Sequence, residues 1–154
     1  MTVRVRQFSL EDYEQVNALG RWFQENSFYA GCGWSDQKTL TILAASTHPD
    51  SNHFARVVSK DDQIIGFFLG FVTEYFFSEK KIAQDLVMVF KPEERKGILK
   101  PTVQMLDEFY DWAKEKNAHE VCIGITSGIA GDGYEKLCIR RGFKKSGSIL
   151  KKGI

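Results

Sequence analysis

The sequence predicts a mixed α+β fold, with a central, mostly antiparallel, twisted sheet of about six to seven strands flanked by about four helices. Three observations lead there. Residues 54–77 form two apolar arms around the charged tip Lys60-Asp61-Asp62, a hairpin pattern. Gln84 to Leu106 runs from an apolar strand through Pro92, a charged turn and Gly97 directly into helical periodicity. A further strand follows that helix, so an antiparallel meander feeds a βαβ crossover.

Each element has its own signal. Thr2 to Gln7 alternates Val3 and Val5 with Arg4 and Arg6, which predicts a half-exposed strand. Ser9 caps a helix over about Leu10 to Asn26, with acidic residues in its first turn and Tyr13, Val16, Leu19 and Phe23 at helical spacing. Ser27 to Trp34 holds two glycines and three aromatics, a loop that packs yet keeps an adaptable surface. A second helix is expected at Asp36 to Ser46. Strands follow at Phe54 to Ser59, Ile64 to Phe77 and Asp85 to Phe90. Val103, Leu106, Phe109, Tyr110 and Ala113 define a helix from Thr102 to about Asn117, and Pro101 fits only its first turn, where a missing N–H costs nothing. Val121 to Ile125 is a strand, Tyr134 to Arg141 a short helix stopped by Gly142, and Phe143 to Leu150 a last strand.

With 154 residues, of which 43% are hydrophobic and 27% charged, the chain can bury the core of one globular domain, taken as 1–154. Neither an apolar run of about 20 residues nor a secretion signal is found, so a soluble cytoplasmic protein with no membrane partner is expected. Cys32, Cys122 and Cys138 lack the paired spacing of a metal site, and His48, His53 and His119 are dispersed, so no metal is implied. Cys122 reads as buried filling. A net charge of +1 argues against nonspecific nucleic-acid binding. Basic residues nevertheless cluster at Lys91, Arg95, Lys96 and Lys100, and again at Arg140, Arg141, Lys144, Lys145, Lys151 and Lys152.

The strand-to-helix junction at Phe90 to Pro101 carries the chemistry. A helix opening out of a short Gly-containing turn presents free backbone N–H groups and the positive end of its dipole, which suits a phosphate. An ordinary crossover would use the same Gly for geometry alone.

Val89-Phe90-Lys91-Pro92-Glu93-Glu94-Arg95-Lys96-Gly97-Ile98-Leu99 resembles the cofactor turn of the GNAT superfamily of N-acetyltransferases, and Cys138-Ile139-Arg140-Arg141-Gly142-Phe143 is similar to that family's closing Tyr-x-x-x-Gly-Phe helix end. The resemblance covers nearly the whole chain in element order. Three departures accompany it. Glu94 stands where a basic residue or Gln is usual, unless the turn is one residue shorter and Arg95 leads it. Leu99 replaces a Gly or Ala, and Cys138 replaces the Tyr.

The resemblance implies a GNAT-like sheet and an acetyl-CoA-dependent transfer to a primary amine by direct attack in a ternary complex, with no metal. A catalytically silent relative that binds a CoA thioester or a protein partner is the alternative. It further implies that Arg95, Lys96, Gly97, Ile98, Leu99 and Lys100 cradle the pyrophosphate. Along the strand, Val87, Met88 and Val89 would pair with the pantetheine, and the N–H of Met88 or Val89 would act as oxyanion donor. Asp85 is the first candidate for the base, on the expectation that it starts the strand and shares a face with Val87 and Val89; Glu74 is the second. Tyr134, one turn before Cys138 on the same helix face, or Cys138 itself, would protonate the departing thiolate. The acceptor, a small-molecule or peptide amine, should lie between the Phe28 to Trp34 loop and the Phe67 to Phe77 arm; a homodimer is allowed.

Overall fold

The computed structural model describes residues 2–125 and 131–154. Among them, five strands form one sheet in the order β1-β2-β3-β4-β5: β1 Val3–Gln7, β2 His53–Lys60, β3 Gln63–Glu74, β4 Lys81–Phe90 and β5 Ala118–Cys122. The first four pair antiparallel, and β5 runs parallel to β4. Helices α1 Tyr13–Glu25 and α2 Asp36–Ser46 precede β2, α3 Leu99–Glu115 makes the crossover from β4 to β5, and α4 Gly131–Arg140 follows β5.

Local chemistry accounts for the turns. Asp61 (φ 50°) and Asp62 (φ 66°) are both left-handed, the two-residue turn that matches the twist of a hairpin, and Lys60 pairs with Gln63 across it. Before α1 the chain makes a 3-10 turn over Leu10–Asp12, where the Asp12 carboxylate accepts from the Ser9 N–H (2.9 Å) and from both terminal nitrogens of Arg6 (2.7 Å each). Ser35 Oγ accepts the Lys38 N–H at the start of α2. At the end of α4, Gly142 (φ 97°) donates to Ile139 O at 3.1 Å and Phe143 N donates to Cys138 O at 3.1 Å, the paired bonds of a Schellman cap. Here is the physical basis of the closing Gly-Phe: Gly142 alone tolerates the turn, and Phe143 folds back on the cluster containing Cys138.

The sheet is covered on both faces. Val16, Leu19 and Leu43 of α1 and α2 pack on Ala55, Val57, Phe67, Leu69 and Val89. On the opposite face, Met105, Phe109 and Ala113 of α3 pack on Phe54, Val58, Phe68, Val72, Ala83 and Phe90. Phe54, Phe67, Phe68 and Phe109 are fully buried, each contributing about 1.5–3 kcal/mol. The Phe68 and Phe109 rings meet edge-on at 4.9 Å.

Several expectations are revised. The strand predicted over Phe143 to Leu150 is absent, leaving five strands among the described residues rather than six to seven. Lys144-Lys145-Ser146-Gly147-Ser148 offers neither β-branched residues nor apolar alternation to hold a ladder. β4 begins at Lys81 rather than Asp85, and β3 ends at Glu74, short of the exposed Phe76 and Phe77. α3 starts three residues early, with Pro101 in its first turn.

Gly70 pairs with Asp85, and a Cβ there would lie 2.7 Å from Phe109 Cζ. Gly70→Ala is therefore expected to lower stability by about 1–3 kcal/mol through overpacking, read as a reduced urea midpoint at unchanged slope.

Candidate active site

The site begins where β4 and β5 part. Their pairing runs from Lys81–Ala118 to Gln84–Cys122 and goes no further, so from Asp85 onward β4 has no strand on that side among the described residues. On its other side, Asp85 pairs with Gly70 and Val87 with Leu69, leaving Leu86 as an extra, bulged residue. The bulge reverses the alternation of side chains. Ala83 packs in the α3 cluster, as regular alternation would also demand of Asp85 and Val87, yet Val87 and Val89 pack with α1 and α2. Asp85 thus faces α3 and α4, away from Val87 and Val89; the expectation that all three share a face fails because of one inserted residue.

The free edge can be read from the ladder. Lys91 N donates to Ile65 O of β3 at 2.8 Å, so by alternation the N–H groups of Val89 and Val87 also point to β3. Met88, between them, points its N–H to the open side. Of the pair Met88 and Val89, only Met88 offers a main-chain donor to the gap.

The Asp85 carboxylate lies in the apex of the gap, where Oδ1 accepts the Gly124 N–H at 2.8 Å. Burial pushes its pKa up to about 6, while the backbone N–H groups of Gly124 and Asp85 itself pull the other way. Tyr134 and Cys138 of α4 both feel its charge. Burial raises the Tyr134 phenol well above its usual range and pushes the Cys138 thiol up to about 11. Each therefore holds its proton at neutral pH, while Asp85 gives its proton up. Among the described residues the buried Tyr134 hydroxyl makes no well-formed hydrogen bond; the Cys138 thiol beside it interacts with it and raises the phenol further. Cys122, half-buried at the end of the paired segment, is raised by burial and by the nearby Glu120 and Asp85 carboxylates; it is not core filling.

At the far end of β4, a 3-10 turn over Pro92–Gly97 leads into α3. Leu99 and Lys100, the first residues of α3, have no intrahelical acceptor for their N–H groups, and Pro101 has no N–H; Thr102 N closes the first bond, to Ile98 O at 2.9 Å. An open groove of about 670 Å³ runs from Lys96, Gly97, Leu99 and Lys100 along α3, past Val103 and Gln104, to the acidic Asp107, Glu108 and Asp111. Leu99 is 64% exposed and borders this space without filling it, and nothing lies within 4 Å of a Cβ placed on Gly97. Glu94 is turned away, paired with Lys60 at 2.9 Å. The turn is open and carries Lys96 and Lys100, while the groove beyond it along α3 is acidic.

Other candidates fall elsewhere. Glu74 is exposed at the end of β3 opposite Lys81, four residues along the ladder from the Gly70–Asp85 pair, so about 13 Å from the apex. It is not brought together with Asp85, Tyr134 and Cys138. Of the C-terminal basic residues, Arg141 pairs with Asp107 of α3 (2.7 Å) and Lys145 with Glu135 (3.3 Å). Phe67 and Phe68 are core, and Trp34 is anchored by Nε1 to Asn17 Oδ1 (2.8 Å) against Gly20. Sequence reasoning missed Gly124 and Leu86. Gly124 follows the apolar run Val121-Cys122-Ile123, where a glycine can mark a strand's end; no pattern announces the bulge. Among the described residues no cluster of His, Cys, Asp and Glu could hold a metal, and no helix is long and apolar enough to cross a membrane.

No protein-family model matches the chain, and no curated protein does. Solved structures do. A transcriptional regulator from Bacillus halodurans C-125 superposes with a TM-score of 0.73 at 17% identity, over 99% of this chain and 100% of that one. AAC(6')-Iy, in complex with the bisubstrate analog CoA-S-monomethyl-acetylneamine, gives 0.72 at 15% identity over 100% and 99%. A GNAT family acetyltransferase from Staphylococcus aureus gives 0.63 at 19% identity over the full length of both. The fold is that of the GNAT acetyltransferases.

An Asp85 carboxylate with a native pKa of about 6 and an ordinary unfolded value of 3.8 binds its proton more tightly in the folded state. Its contribution to stability is fully present below pH 3.8 and is lost as pH rises through 6. Carboxyl-carbon NMR titration should give a midpoint near 6, and Asp85→Asn should remove this fall in stability; a midpoint near 4 would contradict the burial.

Proposed function

We propose that the protein is an acetyl-CoA-dependent N-acetyltransferase that moves an acetyl group to a primary amine by direct attack in a ternary complex. One observation carries the reading: β4 parts from β5 at Asp85, whose carboxylate accepts the Gly124 N–H, and among the described residues runs on with an uncovered edge toward the open turn that bears Lys96 and Lys100. The neighbouring AAC(6')-Iy fold, crystallised with a CoA-linked aminoglycoside analog, supports both the thioester and a small-molecule amine as substrates.

The thioester supplies an activated acetyl carbon. The remaining work falls to this chain. The N–H groups at the start of α3, with Lys96 and Lys100, hold the diphosphate, and the exposed Leu99 borders it. The free edge of β4 from Val87 to Val89 takes the extended amide arm as an added strand. Met88 N–H stands where negative charge grows on the carbonyl oxygen, a donor fixed in advance by the ladder. Asp85, ionised above pH 6, takes the proton from the ammonium directly or through one water. The Tyr134 hydroxyl, beside the Cys138 thiol, gives a proton to the departing sulfur and takes one back from the newly acylated nitrogen, so that CoA leaves as the thiol and the phenol is restored. Cys138, beside it, also keeps its proton but is already enclosed by Leu106 and Leu137. Burial thus divides one cluster into a base and an acid. The single globular domain and cytoplasmic setting expected from the sequence suit this activity.

Two outcomes test the reading. Asp85→Asn should lower kcat about 10²–10⁴-fold while leaving acetyl-CoA affinity unchanged, and the rise of kcat/KM with pH centred near 6 should vanish. Full turnover by the variant in a thiol-release assay would exclude Asp85 as base. Gly97→Glu meets no steric obstacle and should fold normally, yet it places bulk and negative charge in the turn. Calorimetry should show acetyl-CoA binding abolished; retained affinity would put the phosphate site elsewhere.

A further inference from the structure

The turn that opens α3 sorts its charges. Glu93 and Glu94 stand in its first part and border a small cleft of about 300 Å³ shared with Lys60 and Ile65, whereas Lys96 and Gly97 border the groove along α3. The cause of this sorting lies in β2. Phe54 and Val58 pack against α3, and Arg56 between them reaches Glu108 of that helix at 3.5 Å, so strand alternation puts Lys60 on the same face. There Lys60 Nζ donates to Glu94 Oε2 at 2.9 Å, with the two side chains only 25% and 24% exposed. The backbone on both sides is fixed. Lys60 is held opposite Gln63 by the two-residue turn, Lys91 N donates to Ile65 O at 2.8 Å, and Glu94 N donates to Lys91 O at 3.0 Å. A 3-10 turn rises about 2 Å per residue, so Glu94 stands only about 6 Å along the axis from Gly97. An unpaired carboxylate there would repel an anion held at the start of α3.

We propose that Lys60 is a positioning residue for the phosphate turn: it draws the Glu94 carboxylate to the hairpin side and cancels its charge, which leaves Lys96 and Lys100 to set the charge at the groove entrance. The proposal rests on the reading that this turn receives the diphosphate of CoA, and adds to it a residue 34 positions before Glu94 in the chain. Two consequences follow from electrostatics. Freeing Glu94 should weaken an anionic ligand by about threefold to tenfold, the size of a repulsion between one carboxylate and two phosphate charges across partly open solvent. The loss should shrink as the Debye length falls from about 10 Å at 0.1 M salt to about 3 Å at 1 M. A pair that merely props the turn would behave differently, because removing either partner would then do the same harm.

The test is calorimetric titration of the full chain with CoA at 0.1 M salt, on wild type, Lys60→Met, Lys60→Arg, Glu94→Gln and the double variant Lys60→Met/Glu94→Gln. Lys60→Met should bind CoA about threefold to tenfold more weakly, and Lys60→Arg should restore the affinity. Glu94→Gln should bind at least as tightly as wild type. The double variant, which has lost the ion pair altogether, should regain wild-type affinity. Equal affinity in wild type and Lys60→Met overturns the proposal, as does a double variant that stays as weak as Lys60→Met. Should Lys60→Met fail to fold, judged by its urea midpoint, Glu94→Gln decides alone: weaker binding than wild type overturns the proposal, and equal or tighter binding supports it. No binding of CoA by wild type would sink the diphosphate reading itself, whereas binding by wild type with no difference in Lys60→Met would sink only the role of Lys60.

Discussion

The hydrogen bond from Gly124 N–H to the Asp85 carboxylate fixes the point at which two parallel strands stop being a sheet. Strand separation normally leaves main-chain groups exposed to solvent or unsatisfied, so it occurs where something else completes the ladder. Here a side chain caps the apex, a one-residue bulge at Leu86 turns Val87 and Val89 to the opposite face, and among the described residues no strand covers the rest of that β4 edge. Without the bulge, Asp85 would face α1 and α2 or Val87 would leave their core. The insertion permits both a packed front face and a carboxylate at the back.

The same small region is tuned by burial instead of by counter-charges. Asp85 forms no ion pair among the described residues, and its raised pKa comes first from lost hydration. Tyr134 and Cys138 are raised by the same cause and by the carboxylate they face. Three groups with similar surroundings therefore end up on opposite sides of neutral pH. The turn before α3 differs: Lys96 and Lys100 stand at an open surface, so on the proposed reading salt should act on that end and leave the buried end unaffected.

Much of the fold is legible in the sequence because its signals are local. The Asp61-Asp62 turn, the Gly142 cap and the helical spacing of Met105, Phe109 and Ala113 each follow from one residue's conformational freedom or one face's periodicity. The missing last strand shows the limit: residues 143–150 contain Phe143, Ile149 and Leu150, but no local pattern says whether an edge will accept them. The site is legible in part. Turn chemistry singles out Gly97, Lys96 and Lys100 as the proposed phosphate turn, and Asp85, Tyr134 and Cys138 are named individually. That these three meet, and that Glu74 does not join them, depends on the register of β3 against β4, where one extra residue reverses a face. Leu99, which stands where the resembling motif has a small residue, is exposed and borders the groove without filling it, a fact of helix phase and not of residue type.

The central claim is that the β4 edge and the start of α3 receive one extended ligand, and backbone amide shifts during titration with CoA measure this most directly. Met88, Leu99, Lys100 and Gly124 should move together along a single saturating curve, with β1 and β2 still. Shifts confined to other surfaces, or movement at Leu99 and Lys100 without Met88 and Gly124, would contradict it.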